Sequence, residues 1–263
     1  MLFHFIELEY KENNIKNATY YNTNNILDSS KNYIFEIDNI PVGIYINDFL
    51  TDKKIILDEN FFKFLKKQIT ISQNRGDISG VIDIDKLQPC YKKYMENVKE
   101  FNESGSRTIK NKDINYEFCN PIRSSIITKD KSLYIKNEKQ YEKHLKYIIK
   151  KIHKQLKSSF QLPKEYDKGL FDCFYNQMII NHRVRSAVHK DVKNKFLYSS
   201  LICLSNNKDL KQHVISFVDY DIGIPMINNK SLLIFDSVNI RHSNNEMDEN
   251  LLNDRFSIVL YCK

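Results

Sequence analysis

The apolar residues of the chain form two kinds of pattern: short alternating runs near both ends, and helical stripes between them. Short runs that are separated by breaks rich in Asn, Asp and Ser indicate strands of a mixed or antiparallel sheet. They lie at residues 2–8, 33–37, 42–46 and 54–57, and again at 174–181, 196–204, 213–218, 231–235 and 256–261. The later strands follow one another after helical segments, which favours an antiparallel sheet that closes on itself with helices outside.

A first helix is predicted where the spacing of apolar residues changes after residue 57. Asp58 is a good N-cap residue, and Phe61, Phe62, Leu65 and Ile69 then recur at helical intervals. The helix is therefore predicted to run from Asp58 to about Ile69.

The clearest helix covers residues 137–159, and a shorter one is predicted at 86–100. One side of the longer segment is apolar and lysines occupy the rest, which is typical of a helix that covers a sheet. The apolar stripe comprises Tyr141, Leu145, Ile148, Ile149, Ile152 and Leu156. Residues 74–80 contain two glycines and residues 102–132 are polar, so both are predicted as loops.

The sequence contains no internal repeat and no convincing linker, so we predict a single domain over residues 1–263. Its N-terminal strands and supporting helices would occupy residues 1–170, and its core strands 171–263. Composition agrees with a globular protein, because 41% of the residues are hydrophobic and 12% are aromatic. The five cysteines are widely spaced and form no CxxC pair, which indicates reduced and mostly buried thiols.

Charge and segment length bear on location and partners. The formal net charge of +7 is compatible with a polyanionic partner and equally with a lysine-rich solvated surface. The N-terminus lacks a basic leader, and no apolar run approaches the roughly 20 residues of a membrane helix. We therefore expect an intracellular protein, cytoplasmic or nuclear, with no membrane partner.

The candidate chemistry starts from the segment HKDVKN, which places His189 and Asp191 two residues apart and Asn194 three further on. Roughly 0.5 such His–Asp pairs are expected by chance, so the pair gains weight only from its context. A strand precedes it, His242 follows a later strand, and Arg255 opens the last one. Two histidines and one carboxylate are the facial triad that leaves positions on Fe(II) open.

Each of these residues also has a structural interpretation. His189 and Asp191 could be a surface loop pair, His242 a solvated side chain, and Arg255 the ion-pair partner of Asp254 or Asp236. The remaining candidates are expected to be ordinary surface residues: His182 and His213 on the sheet, Arg75 and Arg241 in solvent.

The order of these segments resembles the Fe(II)/2-oxoglutarate-dependent oxygenases, and the local sequence is most similar to their TET/JBP group. The resemblance rests on HKDVKN, on FYNQMIINHRVRSAV before it, on LLIFDSVNIRHS around His242 and on RFSIVLYC at the end. It covers residues 170–263, with NRGDISG as a looser match upstream. Asn229 and Lys230 occupy a turn where that group usually has a glycine.

The resemblance implies an α+β fold with a double-stranded β-helix (jelly-roll) core and flanking helices. It implies that His189, Asp191 and His242 hold Fe(II) and form the catalytic centre. Arg255 would bind the co-substrate 2-oxoglutarate, dioxygen would be consumed, and Asn194 would contact the substrate. That substrate would be the 5-methyl group of thymine or 5-methylcytosine in nucleic acid, DNA more than RNA. A paired base would have to be flipped out of the duplex.

Two other functions stay open from the sequence. The same centre could hydroxylate a protein side chain or a small molecule, or the fold could be a binding module without activity. No feature of the sequence indicates which base is oxidised or how many copies of the chain associate.

Overall fold

The fold was obtained as a computed structural model, which describes residues 2–15, 21–68, 123–128, 132–163, 166, 168–182, 186, 188–207, 210, 212–245 and 254–263. The loop predicted at 74–80, the helix predicted at 86–100 and most of the loop predicted at 102–132 lie outside these residues. So do Arg75, Cys90 and Cys119.

The described residues form two β-sheets, two α-helices and two short 3-10 helices. The strands are β1 (Phe3–Glu7), β2 (Asn32–Ile37), β3 (Ile40–Ile46), β4 (Arg123–Thr128), β5 (Gln177–His182), β6 (Tyr198–Ser205), β7 (Gln212–Phe217), β8 (Ile222–Ile227), β9 (Leu232–Asp236), β10 (His242–Asn244) and β11 (Arg255–Tyr261). The helices are α1 (Glu59–Gln68) and α2 (Ser132–Ser159), with 3-10 turns at Leu170–Asp172 and Val218–Tyr220.

The large sheet has eight strands in the order β1-β2-β3-β9-β6-β11-β5-β4, and the small sheet has three in the order β10-β7-β8. Neighbouring strands are antiparallel in every pair except β1 and β2. Strand β11 lies between β6 and β5, so its first residue, Arg255, starts deep inside the large sheet and opposite Ser205.

Successive side chains of a strand point to opposite faces, and here each face has its own hydrophobic core. On the outer face of the large sheet, Ile202, Ile234 and Ile258 pack with apolar residues of both helices. On its inner face, which is turned to the small sheet, Leu201 and Phe235 belong to a second core. The predicted α+β class and jelly-roll core with flanking helices are confirmed, as two facing sheets and not as one closed sheet.

The helices form where their sequence signals lie. Asp58 accepts a hydrogen bond from the backbone N–H of Phe61 at 2.9 Å, which confirms it as the N-cap of α1. The apolar stripe of α2 is buried from Tyr141 to Leu156. Its start at Ser132 lies five residues before the predicted one, and no described helix is long and apolar enough to cross a membrane.

Four details of the sequence-based prediction were wrong. Residues 54–57 form no strand, because the chain turns there and leaves Ile56 exposed. The interval 102–132 contains β4, which pairs with β5. Strands β8 and β10 were missed. Gly223 and Pro225 interrupt the strand pattern of β8, which is tolerated at a sheet edge, and β10 is only three residues long.

Three cysteines, Cys173, Cys203 and Cys262, are described, and all are buried free thiols as predicted.

Candidate metal centre

His189 follows β5 along the chain and pairs with the start of β10 in the small sheet. The backbone N–H of His189 donates to the carbonyl of His242 at 3.1 Å, and the N–H of His242 donates back to His189 at 3.0 Å. This isolated antiparallel bridge places the two imidazoles side by side, with ring centroids 4.3 Å apart. Two histidines that are 53 positions apart in sequence therefore become neighbours through backbone pairing.

Asp191 completes a compact group with the two histidines. One carboxylate oxygen, Oδ1, lies 3.9 Å from Nε2 of His189, and the other, Oδ2, lies 4.0 Å from Nε2 of His242. One ligand atom from each residue lies within 4.8 Å of the others. Metal–ligand bonds are about 2.0–2.2 Å long, so these 3.9 and 4.0 Å separations are short enough for one ion to reach both partners of each pair.

His242 is oriented as a ligand. Its Nδ1 lies 3.0 Å from the carbonyl oxygen of Ile240, an acceptor, so Nδ1 carries the proton and Nε2 keeps its lone pair. Burial, followed by the neighbouring His189, holds the pKa of His242 below its ordinary value. The imidazole is therefore neutral at neutral pH, as metal ligation requires. The solvated alternative for His242 is wrong, because the side chain is buried.

The loop that carries Asp191 is fixed by hydrogen bonds to the turn after β9. The backbone N–H of Asp191 donates to the carbonyl of Ser237 at 2.8 Å. The hydroxyls of Ser237 and Ser199 lie 2.7 Å apart, and the amide nitrogen of Asn194 donates to both. Asp236 shapes the same turn, because its carboxylate accepts from the backbone N–H groups of residues 238 and 239.

Asn194, the predicted substrate contact, lies in this loop three residues after Asp191. Its Nδ2 lies 3.1 Å from the Ser199 hydroxyl and 3.3 Å from that of Ser237. The structure thus gives Asn194 a role in holding the metal loop, and its contact with substrate stays a prediction.

Arg255 lies on the inner face of the large sheet and is only 4% exposed. Its Nη2 is 3.0 Å from Nε2 of His213. The Cys203 sulfur lies 2.9 Å from this Nε2 atom of His213. The two suggested acidic partners are engaged elsewhere, Asp254 with Asn207 and Asp236 with its own turn.

Arg255 and the metal group lie at different depths of the same interior. Strand β6 gives the distance between them, because Ser199 contacts the metal loop and Cys203, on the same face, lies near Arg255. Four residues of a strand separate Ser199 from Cys203, which corresponds to about 13 Å. The side chain between these two on that face is the apolar Leu201. The structure therefore brings His189, Asp191 and His242 within reach of one metal ion and places Arg255 farther inside.

Three side chains that the sequence analysis assigned to the surface lie elsewhere. His213 is buried between the two sheets, and His182 is buried against Phe256, with ring centroids 4.4 Å apart. Arg241 is pinned by Asp219, whose carboxylate accepts from Nε at 2.6 Å, and by Asn13. Alternation predicts which residues share a face, but which face is covered depends on the facing sheet and on the N-terminal segment.

The outside of the metal loop is basic. Lys190, Lys193 and Lys195 are exposed, and none forms an ion pair with any carboxylate of the described residues. Val192 is 69% exposed in their midst.

Among the comparisons with known proteins, only the one with solved structures found similar proteins. The sequence matches no protein-family model and no curated protein. Similar solved structures include NgTET1 in complex with 5mC DNA, with 13% identity, a TM-score of 0.48 and coverage of 98% of this chain and 81% of that one. A 2OG-Fe(II) oxygenase-family oxidoreductase from Burkholderia pseudomallei has 14% identity, a TM-score of 0.35 and coverage of 64% and 78%.

A prolyl-4-hydroxylase from Pseudomonas putida has 10% identity, a TM-score of 0.33 and coverage of 69% and 89%. With TM-scores below 0.5, none of these proteins' activities is carried over to this chain. The residues of this chain form a candidate metal centre of two histidines and one carboxylate, with a buried arginine deeper between the same two sheets.

Proposed function

We propose that the protein is an Fe(II)- and 2-oxoglutarate-dependent dioxygenase that hydroxylates the 5-methyl group of a pyrimidine base in nucleic acid. The observation that carries the proposal is the group of His189, Asp191 and His242, together with the buried Arg255 in the same interior. Two neutral imidazoles and one carboxylate are the donor set of Fe(II) oxygenases with open metal positions.

When bound with 2-oxoglutarate, Fe(II) supplies the activation of dioxygen that oxidises a C–H bond. The protein contributes the ligands and their orientation. His242 presents an unprotonated Nε2 because Ile240 holds its Nδ1 proton, and Asp191 is fixed by Ser237. The ligands therefore need little rearrangement to bind an ion, which keeps the cost of ordering them low.

Arg255 supplies the co-substrate end of the site. A guanidinium is charged at all physiological pH values and presents a planar fork of donors, which suits the far carboxylate of 2-oxoglutarate. Two neighbours of this guanidinium, His213 and Cys203, are neutral groups. An anion that enters this interior would meet the positive charge of Arg255 in a buried setting, where an ionic group requires a partner of opposite charge.

The nucleic-acid substrate is supported by the charges around the metal loop. The loop that carries Asp191 also carries three exposed lysines, Lys190, Lys193 and Lys195, which phosphates of a polynucleotide would contact. The net charge of +7 acts in the same direction. The resemblance of HKDVKN to the TET/JBP pattern supports a pyrimidine methyl group as the target.

The test is a turnover assay with defined DNA substrates. The protein with Fe(II), 2-oxoglutarate and oxygen is incubated with DNA that contains 5-methylcytosine or only unmodified bases, and the nucleosides are analysed by mass spectrometry. We expect a hydroxymethylated pyrimidine and Fe-dependent succinate. Asp191→Ala should abolish both, whereas Asp48→Ala, an exposed aspartate after β3, should change neither. Succinate with a protein or small-molecule substrate but no modified base would refute the nucleic-acid assignment.

A further inference from the structure

A second polar cluster lies between the sheets, away from the metal ligands, and its centre is a histidine. His213 projects from β7 of the small sheet and meets two residues of the large sheet. Nε2 of His213 is 3.0 Å from Nη2 of Arg255 and 2.9 Å from Sγ of Cys203. All three side chains are buried, so water does not compete for these contacts.

The partners decide where the imidazole proton is. A guanidinium has donors but no acceptor, so Nε2 of His213 must accept from Arg255 and cannot carry a proton. The proton is then on Nδ1. His213 Nδ1 and Asn228 Oδ1 are both buried, and neither atom has a hydrogen-bond partner among the described residues. The Asn228 side chain acts to raise the pKa of His213, but by less than burial and Arg255 lower it.

The neighbouring groups keep the ring neutral. Burial first, and the positive charge of Arg255 second, hold the pKa of His213 well below its ordinary value. The Cys203 thiol is protonated, because burial raises its pKa to about 12. Asn228 is itself fixed, since its amide nitrogen donates to the carbonyl of Leu210 at 2.9 Å.

We propose that His213 is a positioning residue for Arg255. From the facing sheet it accepts one Nη2 hydrogen and so fixes the plane in which the guanidinium presents its other donors to the co-substrate. The proposal rests on the proposed function, in which Arg255 binds the far carboxylate of 2-oxoglutarate. A neutral acceptor at this place orients the arginine without competing for its charge, which a carboxylate would do.

Binding measurements test this role with three variants. His213→Leu keeps the bulk but removes the acceptor, and His213→Gln keeps an acceptor near the position of Nε2. His182→Leu is the matched control, because it removes a buried imidazole that stacks on Phe256, on the outer face of the same sheet. The probe is 2-oxoglutarate, titrated calorimetrically into the full chain loaded with Mn(II) under anaerobic conditions.

A hydrogen bond to a charged group is usually worth about tenfold or more in binding. We expect His213→Leu to weaken 2-oxoglutarate binding about tenfold or more, with KM rising more than kcat falls. His213→Gln should stay within about threefold of the wild type, and the control should match it. No binding by the wild type would refute the proposed function. Wild-type binding that is unchanged in a folded His213→Leu variant would refute the positioning role alone.

A spectroscopic measurement tests the same role without any ligand. Nitrogen NMR of isotope-labelled histidines distinguishes the two neutral tautomers and the cation, and His213→Gln identifies the resonance. The expected spectrum shows a neutral His213 ring protonated on Nδ1. A proton on Nε2, or on both nitrogens at neutral pH, would overturn the inference.

Discussion

Removal of the lysine charges beside the metal ligands should weaken nucleic-acid binding by an amount that follows from counterion release. Lys190, Lys193 and Lys195 are exposed on the loop that carries Asp191, so each can contact one phosphate. Each phosphate contact contributes about 0.9 to the slope of log K against log salt for duplex DNA, and about 0.7 for single strands. Replacement of all three by Gln should therefore lower that slope by about 2.7 for duplex DNA, or about 2 for a single strand.

The assay is fluorescence anisotropy with a labelled oligonucleotide at several salt concentrations between about 50 and 200 mM. The matched control replaces Lys143, Lys150 and Lys154 by Gln. These exposed lysines lie on α2, which covers the outer face of the large sheet, and the net charge changes equally. A global charge effect would alter both triple variants alike, whereas a local phosphate contact alters only the loop variant.

The reasoning would be refuted by a loop variant whose salt slope equals that of the wild type. A control variant with the same loss as the loop variant would also refute it, because net charge and not position would then explain the binding. The difference between the duplex and single-strand slopes further indicates which form of the substrate the loop contacts.

Three further predictions concern side chains that support the site and the fold. Asn194→Ala removes the hydrogen bonds to Ser199 and Ser237 and should weaken Mn(II) binding tenfold or more in a metal titration; unchanged affinity would contradict the role given to this loop. Asp58→Ala removes the N-cap of α1 and should lower the free energy of unfolding by about 1 kcal/mol in urea, with an unaltered m-value. Hydrogen bonds from Tyr21 and Thr23 lower the pKa of the Asp221 carboxyl, so its stabilising effect is present above pH about 4 and is lost as pH falls through the lowered pKa. Asp221→Asn should thus destabilise the protein at pH 7 but not in acid, and an equal loss at both pH values would contradict this.

Sequence reasoning predicted the elements whose apolar pattern is local. The N-cap at Asp58, the stripe of α2 and most strands could be read directly, because their periodicity reports the face that becomes buried. It failed at β8, where Gly223 and Pro225 interrupt the pattern, and at β10, which is too short to have a pattern.

The candidate site was only partly accessible to the same reasoning. The order of HKDVKN, His242 and Arg255 along the chain indicated which side chains to consider, but their proximity depends on the backbone bridge between His189 and His242. His213 was missed as a neighbour of Arg255, since the two lie on facing sheets and 42 positions apart. A histidine at the start of an alternating strand was the one available signal, and it did not reveal the covering sheet.

The most direct test of the central claim is to follow the oxygen atoms. The protein is supplied with Fe(II), 2-oxoglutarate, DNA that contains 5-methylcytosine, and isotopically labelled dioxygen, and the products are analysed by mass spectrometry. The proposed function predicts labelled oxygen in the new hydroxyl of the base and in succinate, in equal amounts, and neither product from Asp191→Ala. A folded wild-type protein that binds metal at His189, Asp191 and His242 but places no labelled oxygen in any base would contradict it.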